Sequence, residues 1–327
     1  MITHSYPSET NQRRKYDNPR LTLVVCSNRV ANIRKYWRVY KNSIQAGDTL
    51  IIILDVEVDA NVELLIAKMR DSNIKVIVNR QTFGLSVCRN MAVENCKTEY
   101  MVFIDDDVVL TADVVDAIRL GFGLEYEIVG VRIYGPVKEF KTPWYISAGQ
   151  FHYLAIHNPK ARSFNTWGAC MGVNISFAKN TGVKFREELG RKGNGLQSGD
   201  DTTFLREMKA NGAKEMFVDE VAVYHCFDTA RLSLSYMLRR AYWQGRSEFR
   251  RGDSINGLKK EWGRFFETDT SSLKKIFLAF LYIVPIIVGV WKEMLLLAQS
   301  EIMALLIERL RSLLRYRKTG TYEKSER

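Results

Sequence analysis

Tyr100-Met101-Val102-Phe103-Ile104-Asp105-Asp106-Asp107 is the stretch on which the fold turns. Five apolar or aromatic residues in a row make a short strand buried on both faces, because a strand with one wet face would alternate. Three carboxylates then stand side by side and repel one another unless a counter-charge is supplied. In an extended segment Asp105 and Asp107 point to one side and Asp106 to the other, so the first and third can converge on one cation. Hard cations such as Mg²⁺ or Mn²⁺ take oxygen ligands of this kind together with substrate phosphates. A solvated acidic turn explains the same residues, aspartate being a common turn residue, and both explanations stay open on these residues alone.

Upstream the pattern repeats. Apolar, β-branched runs at 21–25 and 49–54 end in Cys26-Ser27-Asn28-Arg29 and in Asp55, and 75–78 is extended. Between them, helical spacing covers 30–45, 61–70 and 85–96, with Gly47 as a stop after the first. Short apolar strands alternating with amphipathic helices predict an α/β fold whose mostly parallel sheet is flanked by helices and whose ligands sit beyond the carboxyl ends of the strands. Asn28, Asp55 and Asp105 all fall at such ends. From 111 to about 172 the pattern loosens into Gly- and aromatic-rich sequence, read as mixed strand and loop. A helix over 202–210 follows Gly199-Asp200-Asp201, which makes Asp200 or Asp201 its natural N-cap, and 215–224 is a strand.

The chain has 327 residues and 46% hydrophobic content, enough for one large core or two moderate ones, so it is not a disordered protein. Residues 1–19 are a polar tail without the apolar centre of a secretory signal, which places the expected catalytic part in the cytosol. Five cysteines without a Cys-x-x-Cys pair suggest neither a disulfide framework nor a thiolate zinc site. The net charge of +11 fits a polyanionic partner, nucleic acid or an anionic membrane. Arg239, Arg240, Arg246, Arg250, Arg251, Lys259, Lys260, Lys274, Lys275 and a run of cations after 308 flank the uncharged segment 276–291, which favours membrane over nucleic acid.

Taken in order, these pieces resemble the family 2 glycosyltransferases of the GT-A fold, over roughly 20–250. The resemblance implies donor contacts at Ser27, Asn28, Arg29, Asp55, Gly84, Arg89 and Asn90, and at Asp105 and Asp106 of the D-x-D. It implies a Mn²⁺ or Mg²⁺ ion held chiefly by Asp107 with Asp105. A base from the acidic pair is also implied, Asp201 by the usual position, with Asp200 left open. His225, after an apolar strand, is a candidate additional metal ligand or a buried hydrogen-bonded histidine, and Trp167 a candidate platform for the acceptor sugar or a core aromatic. The sequence departs from the family in lacking the proline and tyrosine of the first turn and in having Asp-Asp where Glu-Asp is commoner.

The implied reaction is inverting transfer of a sugar from a nucleotide-diphosphate donor to the hydroxyl of a glycan or lipid-linked acceptor, in polysaccharide or glycolipid synthesis. A cation absorbs charge on the leaving diphosphate while a base takes the acceptor proton. A nucleotidyltransferase would share the sheet and the aspartates but needs a Gly-rich phosphate loop that Cys26-Ser27-Asn28-Arg29 does not provide. A non-catalytic membrane scaffold would need neither acidic site.

Residues 251–327 are expected to be a helical, membrane-associated region on the inner face of the cell membrane. As a helix, 276–291 would reach about 24 Å, short of a hydrocarbon core of about 30 Å. Residues 294–316 are amphipathic, with Leu295, Ile302, Leu306, Leu310 and Leu313 on one side, and suit the interface.

Overall fold

The computed structural model describes residues 18–80, 83–136, 142–161, 164–266 and 272–319, of which 265–266, 272, 304–306 and 309–319 are described by backbone alone. The expected tail 1–19 lies almost wholly outside the described residues, as do the side chains of Leu306, Leu310 and Leu313.

The first half is the anticipated strand and helix alternation. Strands β1 (Leu21–Ser27), β2 (Thr49–Leu54), β3 (Ile74–Val78) and β4 (Tyr100–Asp105) are mutually parallel, in the order β3-β2-β1-β4. Helices α1 (Val30–Asn42), α2 (Ala60–Lys68) and α3 (Leu85–Asn95) cover them. Because side chains alternate across a strand, Leu23 and Val25 face Ile33, Tyr36 and Tyr40 of α1, while Val24 faces Cys88 and Ala92 of α3. Burial on both faces explains why these runs are continuously apolar. The register aligns Cys26 with Ile53 on one side and Asp105 on the other, so three strand ends open onto one edge.

Beyond β4 the sheet is mixed, not mostly parallel. Strand β5 is Val108–Val109, β6 Ile128–Tyr134, β7 Cys170–Asn174 and β8 Glu215–His225, and the full order is β3-β2-β1-β4-β7-β6-β8-β5. Strand β7 is antiparallel to β4 and β6, β6 is parallel to β8, and β5 antiparallel to β8. The apolar runs carried the burial but not the direction, because a buried antiparallel strand has the same composition.

Helix α4 (Ala112–Gly123) lies in the stretch expected to be strand and loop. Its buried arc is wide, including Val114, Val115, Ala117, Ile118 and Phe122, and so shows no clean amphipathic stripe. It also buries Arg119, which pairs with Asp48 at 2.6 Å, while Asp48 accepts from the Leu21 N–H at 2.9 Å. This clamp holds the start of β1.

After α5 (Ile175–Thr181) and α6 (Asp200–Ala210), three helices end the described chain: α7 (Leu234–Arg250), α8 (Ser254–Phe266) and α9 (Ser272–Thr319). Leu278, Ala279, Tyr282 and Ile286 of α9 belong to the same buried cluster as Leu23 and Ile104, so one core crosses the expected 250/251 boundary. The segments 276–291 and 294–316 are one continuous helix with Pro285 inside it. Its apolar part, Leu273–Met303, is 31 residues long and contains an 18-residue stretch of mean hydropathy 2.1, enough by length and composition to cross a bilayer.

The cations thought to mark a membrane are partly spent inside the fold. Arg246 and Arg250 pair with the buried Glu293 of α9, Arg250 at 3.0 Å, and Arg251 pairs with Glu248 at 2.5 Å.

Candidate active site

A cleft of about 560 Å³ opens at the carboxyl ends of β1, β2 and β4 and is closed on its far side by the 191–199 loop, α6, α7 and α8. Ser27, Asn28, Arg29, Asp55, Arg89, Asp105, Asp106, Asp107, Trp167, Asp200, Asp201 and His225 all line it. Gly84 and Asn90 do not. Gly84, at φ 154°, turns its N–H onto Asp55 at 2.9 Å, which together with Asn79 at 2.7 Å holds that carboxylate at the end of β2. Asn90 clamps the backbone of Phe185 from both sides, at 2.9 and 3.0 Å, away from the cleft.

The three aspartates do not alternate as an extended strand would have them. Strand β4 ends at Asp105, and Asp106 and Asp107 form the turn into β5. Asp105 faces Arg89 at 3.4 Å and is the most exposed of the three. Burial raises its pKa, with the charge of Arg89 opposing. Asp106 is turned back onto the first loop, accepting from Ser27, from Arg29 and, at 3.2 Å, from Asn32. Asp107 is buried among cations: Arg29 and Arg231 each reach its Oδ2 at 3.0 Å, and His225 Nε2 lies 3.1 Å from its Oδ1. Burial works to raise Asp107, but His225, Arg231 and Arg29 together hold its carboxyl well below the usual range.

Strand pairing brings His225 there. Val108 is opposite His225 in the β5/β8 pair, and the Cys226 N–H donates to the Asp107 carbonyl at 2.7 Å. His225 Nδ1 donates to the Leu154 carbonyl at 2.9 Å, which turns Nε2 toward Asp107. Two acceptors 3.1 Å apart need a proton or a cation between them. Neighbouring ligands of an octahedral cation with bonds of about 2.1 Å stand about 3.0 Å apart, so Asp107 and His225 have the spacing that would let both hold a Mn²⁺ or Mg²⁺ ion. Asp105 does not complete a set of three with them: among the described residues no three acidic, histidine or cysteine side chains converge on one point.

On the other wall, Asp200 and Asp201 occupy the first turn of α6, and the N-cap is Gly199 at φ 94°, with no side chain capping. The expected aspartate cap is absent because both carboxylates are engaged elsewhere. Asp200 is buried, accepts from Arg89 at 2.8 Å and from Ser86 at 3.2 Å, and has its pKa raised by burial against the pull of Arg89. Asp201 is half-buried and accepts the Gly168 N–H at 2.7 Å. Arg89, 4% exposed, thus bridges Asp105 to Asp200 and also donates to the Gly168 carbonyl at 3.2 Å. It is a strut between the acidic motifs, with its donors taken by protein. Burial pushes the Cys26 thiol in the same wall up to about 12, so it is inert. Trp167 lies against His157, ring centres 4.3 Å apart.

Arg231, Arg191, Arg240 and Gln244 also line the cleft and were not singled out from sequence. Arg240 had been counted with the membrane cations, yet it is 5% exposed. Its i, i+4 spacing to Gln244 and Glu248 was the available signal for a buried polar face on α7.

Residues 22–182 match the profile described as Glycosyl transferase family 2. Succinoglycan biosynthesis protein ExoM of Rhizobium meliloti (strain 1021) is 24% identical over 185 residues, 55% of this chain and 57% of that protein, so the chain spans little more than half the length of this curated relative. Among solved structures, mannosyltransferase PcManGT from Pyrobaculum calidifontis, in complex with GDP-Man and Mn²⁺, is similar with a TM-score of 0.50 at 13% identity, over 88% of this chain and 81% of that one. S. aureus TarS 1–349 matches with a TM-score of 0.47 at 14% identity, over 81% and 71%.

Proposed function

We propose, from the match of residues 22–182 to glycosyl transferase family 2, that the chain belongs to that family and moves a sugar from a nucleotide-diphosphate donor to an acceptor hydroxyl with inversion. One observation carries the reading. A cation-rich pocket at Asp107 and the half-buried carboxylate of Asp201, which has hydrogen-bond partners in Gly168 and Thr202 but no ion pair among the described residues, face one cleft from opposite walls.

Donor binding falls to the strand-end wall. Asp55 is held by Asn79 and Gly84 where it can accept from a nucleobase, and Arg29 and Arg231 present guanidinium groups for the diphosphate beside Asp107 and His225. A Mn²⁺ or Mg²⁺ ion bound by Asp107 and His225 would add charge that stabilises the leaving diphosphate. Of the acidic pair, Asp200 is spent on Arg89 and Ser86. Asp201 is the better base: its carboxylate is half-exposed in the cleft, and the Gly168 N–H fixes its orientation. Attack by an acceptor hydroxyl from the Asp201 side, opposite the leaving group, is a single displacement and inverts the anomeric carbon.

The same proposal has the protein lie on a membrane surface, on its cytosolic face, in the synthesis of a polysaccharide or glycolipid. Helix α9 exposes Phe277, Phe280, Val284, Val288, Trp291 and Leu295, all at least half exposed. Its other face is fastened to α7 through Ile286 and Glu293, and Tyr282 donates to the Tyr145 carbonyl at 2.9 Å. A helix fastened along one side to a folded domain with a polar surface suits the interface plane better than a single-pass span.

Thermal shift with UDP, GDP, dTDP and CMP sugars, with and without Mn²⁺, tests the enzyme. Asp201→Asn is expected to keep nucleotide binding and lose transfer, and Asp107→Asn to lose the Mn²⁺-dependent shift. A wild-type protein that binds no nucleotide under any of these conditions sinks the reading. Membrane contact is tested by flotation with anionic vesicles, which a Phe277→Ser/Phe280→Ser/Trp291→Ser variant should weaken; equal flotation of the two proteins overturns it.

A further inference from the structure

The helical wall of the cleft carries positive charge beyond that placed at the donor diphosphate. Arg191, Arg240, Arg251, Lys260 and Arg264 line it. The acids nearby are already committed: Glu248 to Arg251 and Gln244, and Glu261 to Arg264, His152 and Tyr153. Arg191 and Arg240 form no ion pair among the described residues, although the charge of Arg191 is felt by Asp105 across the cleft. Arg240 is 5% exposed, its Nη1 donates to Gln244 at 3.2 Å, and its Nε is buried without a partner. Burial pushes its pKa down to about 10, with the charge of Arg191 adding to the effect. Lys260 is exposed, unlike Arg240, and is also pushed down, by partial desolvation and then by Arg264.

A buried guanidinium beside like charges is unfavourable unless something negative arrives. The leaving diphosphate is served by Arg29 and Arg231 on the opposite wall, so the anion that belongs here is carried by the other substrate. The surroundings indicate its form. Helix α8, which bears Lys260 and Arg264, also exposes Trp262, whose ring lies 6.4 Å from that of the exposed Phe280 on α9. Two residues from Lys260 and from Arg264, Trp262 turns to the other side of α8, so an apolar surface flanks the helix that carries these cations.

We propose that Arg191, Arg240 and Lys260 form a subsite for a phosphate or diphosphate group to which the acceptor sugar is esterified. The inference rests on the glycosyltransferase reading and names the chemical class of its acceptor. The phosphate could be borne by a lipid or by a soluble sugar phosphate.

The full chain is saturated with the nucleoside diphosphate that the donor panel identifies and titrated calorimetrically with inorganic diphosphate. Binding to the saturated protein is expected, weakened about tenfold or more in Arg191→Gln and in Arg240→Gln, while nucleotide affinity stays within about twofold. Arg191 is half-exposed with no side-chain partner, so its variant should fold even if that of Arg240 does not. Displacement of inorganic diphosphate by nucleotide, or binding unaffected by Arg191→Gln, overturns the proposal. If no nucleotide binds, the glycosyltransferase reading fails on its own, and titration of the free protein still reads the subsite. Citronellyl diphosphate separates the sources. Binding about tenfold tighter than inorganic diphosphate supports a lipid-linked acceptor, and equal binding supports a soluble sugar phosphate.

Discussion

Replacing Arg89 by methionine removes the strut between the two acidic motifs and keeps its aliphatic volume. Asp200 then loses a 2.8 Å ion pair, Asp105 a 3.4 Å contact and the Gly168 carbonyl a donor, all within a nearly closed environment. Breaking a buried pair by removing one partner costs about 3–5 kcal/mol, because the remaining charge is left uncompensated. Unfolding entropy of about 2.1 cal/mol/K per residue over 327 residues is about 0.7 kcal/mol/K, so the midpoint should fall by about 4–7 °C. A calorimetric melt at pH 7.5 without nucleotide measures it. The Arg89→Met/Asp200→Asn double variant should recover more than half of the loss, since the stranded carboxylate is gone. Were Arg89 instead a donor contact, the apoprotein would melt within about 1 °C of wild type and only nucleotide affinity would fall. That result refutes the strut.

His157 accepts the Ile133 N–H on Nδ1 and donates from Nε2 to the Asn165 carbonyl, both at 3.0 Å, and burial lowers its pKa from 6.5 to about 4. The unfolded chain therefore takes up the proton first, so stability present above about pH 6.5 should be lost progressively toward pH 4, by up to about 3 kcal/mol; urea titrations of wild type and His157→Gln across that window should differ in slope. Gly168→Ala would push a methyl into Arg89 and the Asp201 Cβ; transfer should fall about 100-fold with nucleotide binding retained, measured by single-turnover kinetics with the donor that binds. Gly245→Ala would drive a methyl into the Ile286 carbonyl where α7 and α9 cross, and should destabilise the protein by more than 2 kcal/mol in chemical denaturation. A chain truncated after Phe266 removes Leu278, Ala279, Tyr282 and Ile286 from the core and should accumulate as insoluble protein, measured by fractionating lysates.

Local chemistry made much of this protein legible as a string of residues. The runs at 21–25, 49–54 and 100–104 are apolar on every residue because both sheet faces are covered, and their polar ends located Ser27, Asp55 and Asp105 at one edge. Pairing direction was beyond the string, since a buried antiparallel strand such as β7 has the same apolar composition as a parallel one, and the wide buried arc of α4 hid its period. Roles within the site were equally a matter of tertiary structure. Asp107 meets His225 only because β5 pairs with β8, and Arg89 turned from a candidate ligand contact into a bridge because α3 and α6 face each other across β4. Charge was the most misleading quantity in one dimension. Arg240, Arg246, Arg250 and Arg251 are alike as letters, yet Arg240 lines the cleft with no carboxylate partner among the described residues and the other three are held by Glu293 and Glu248, which only the folded chain brings to them.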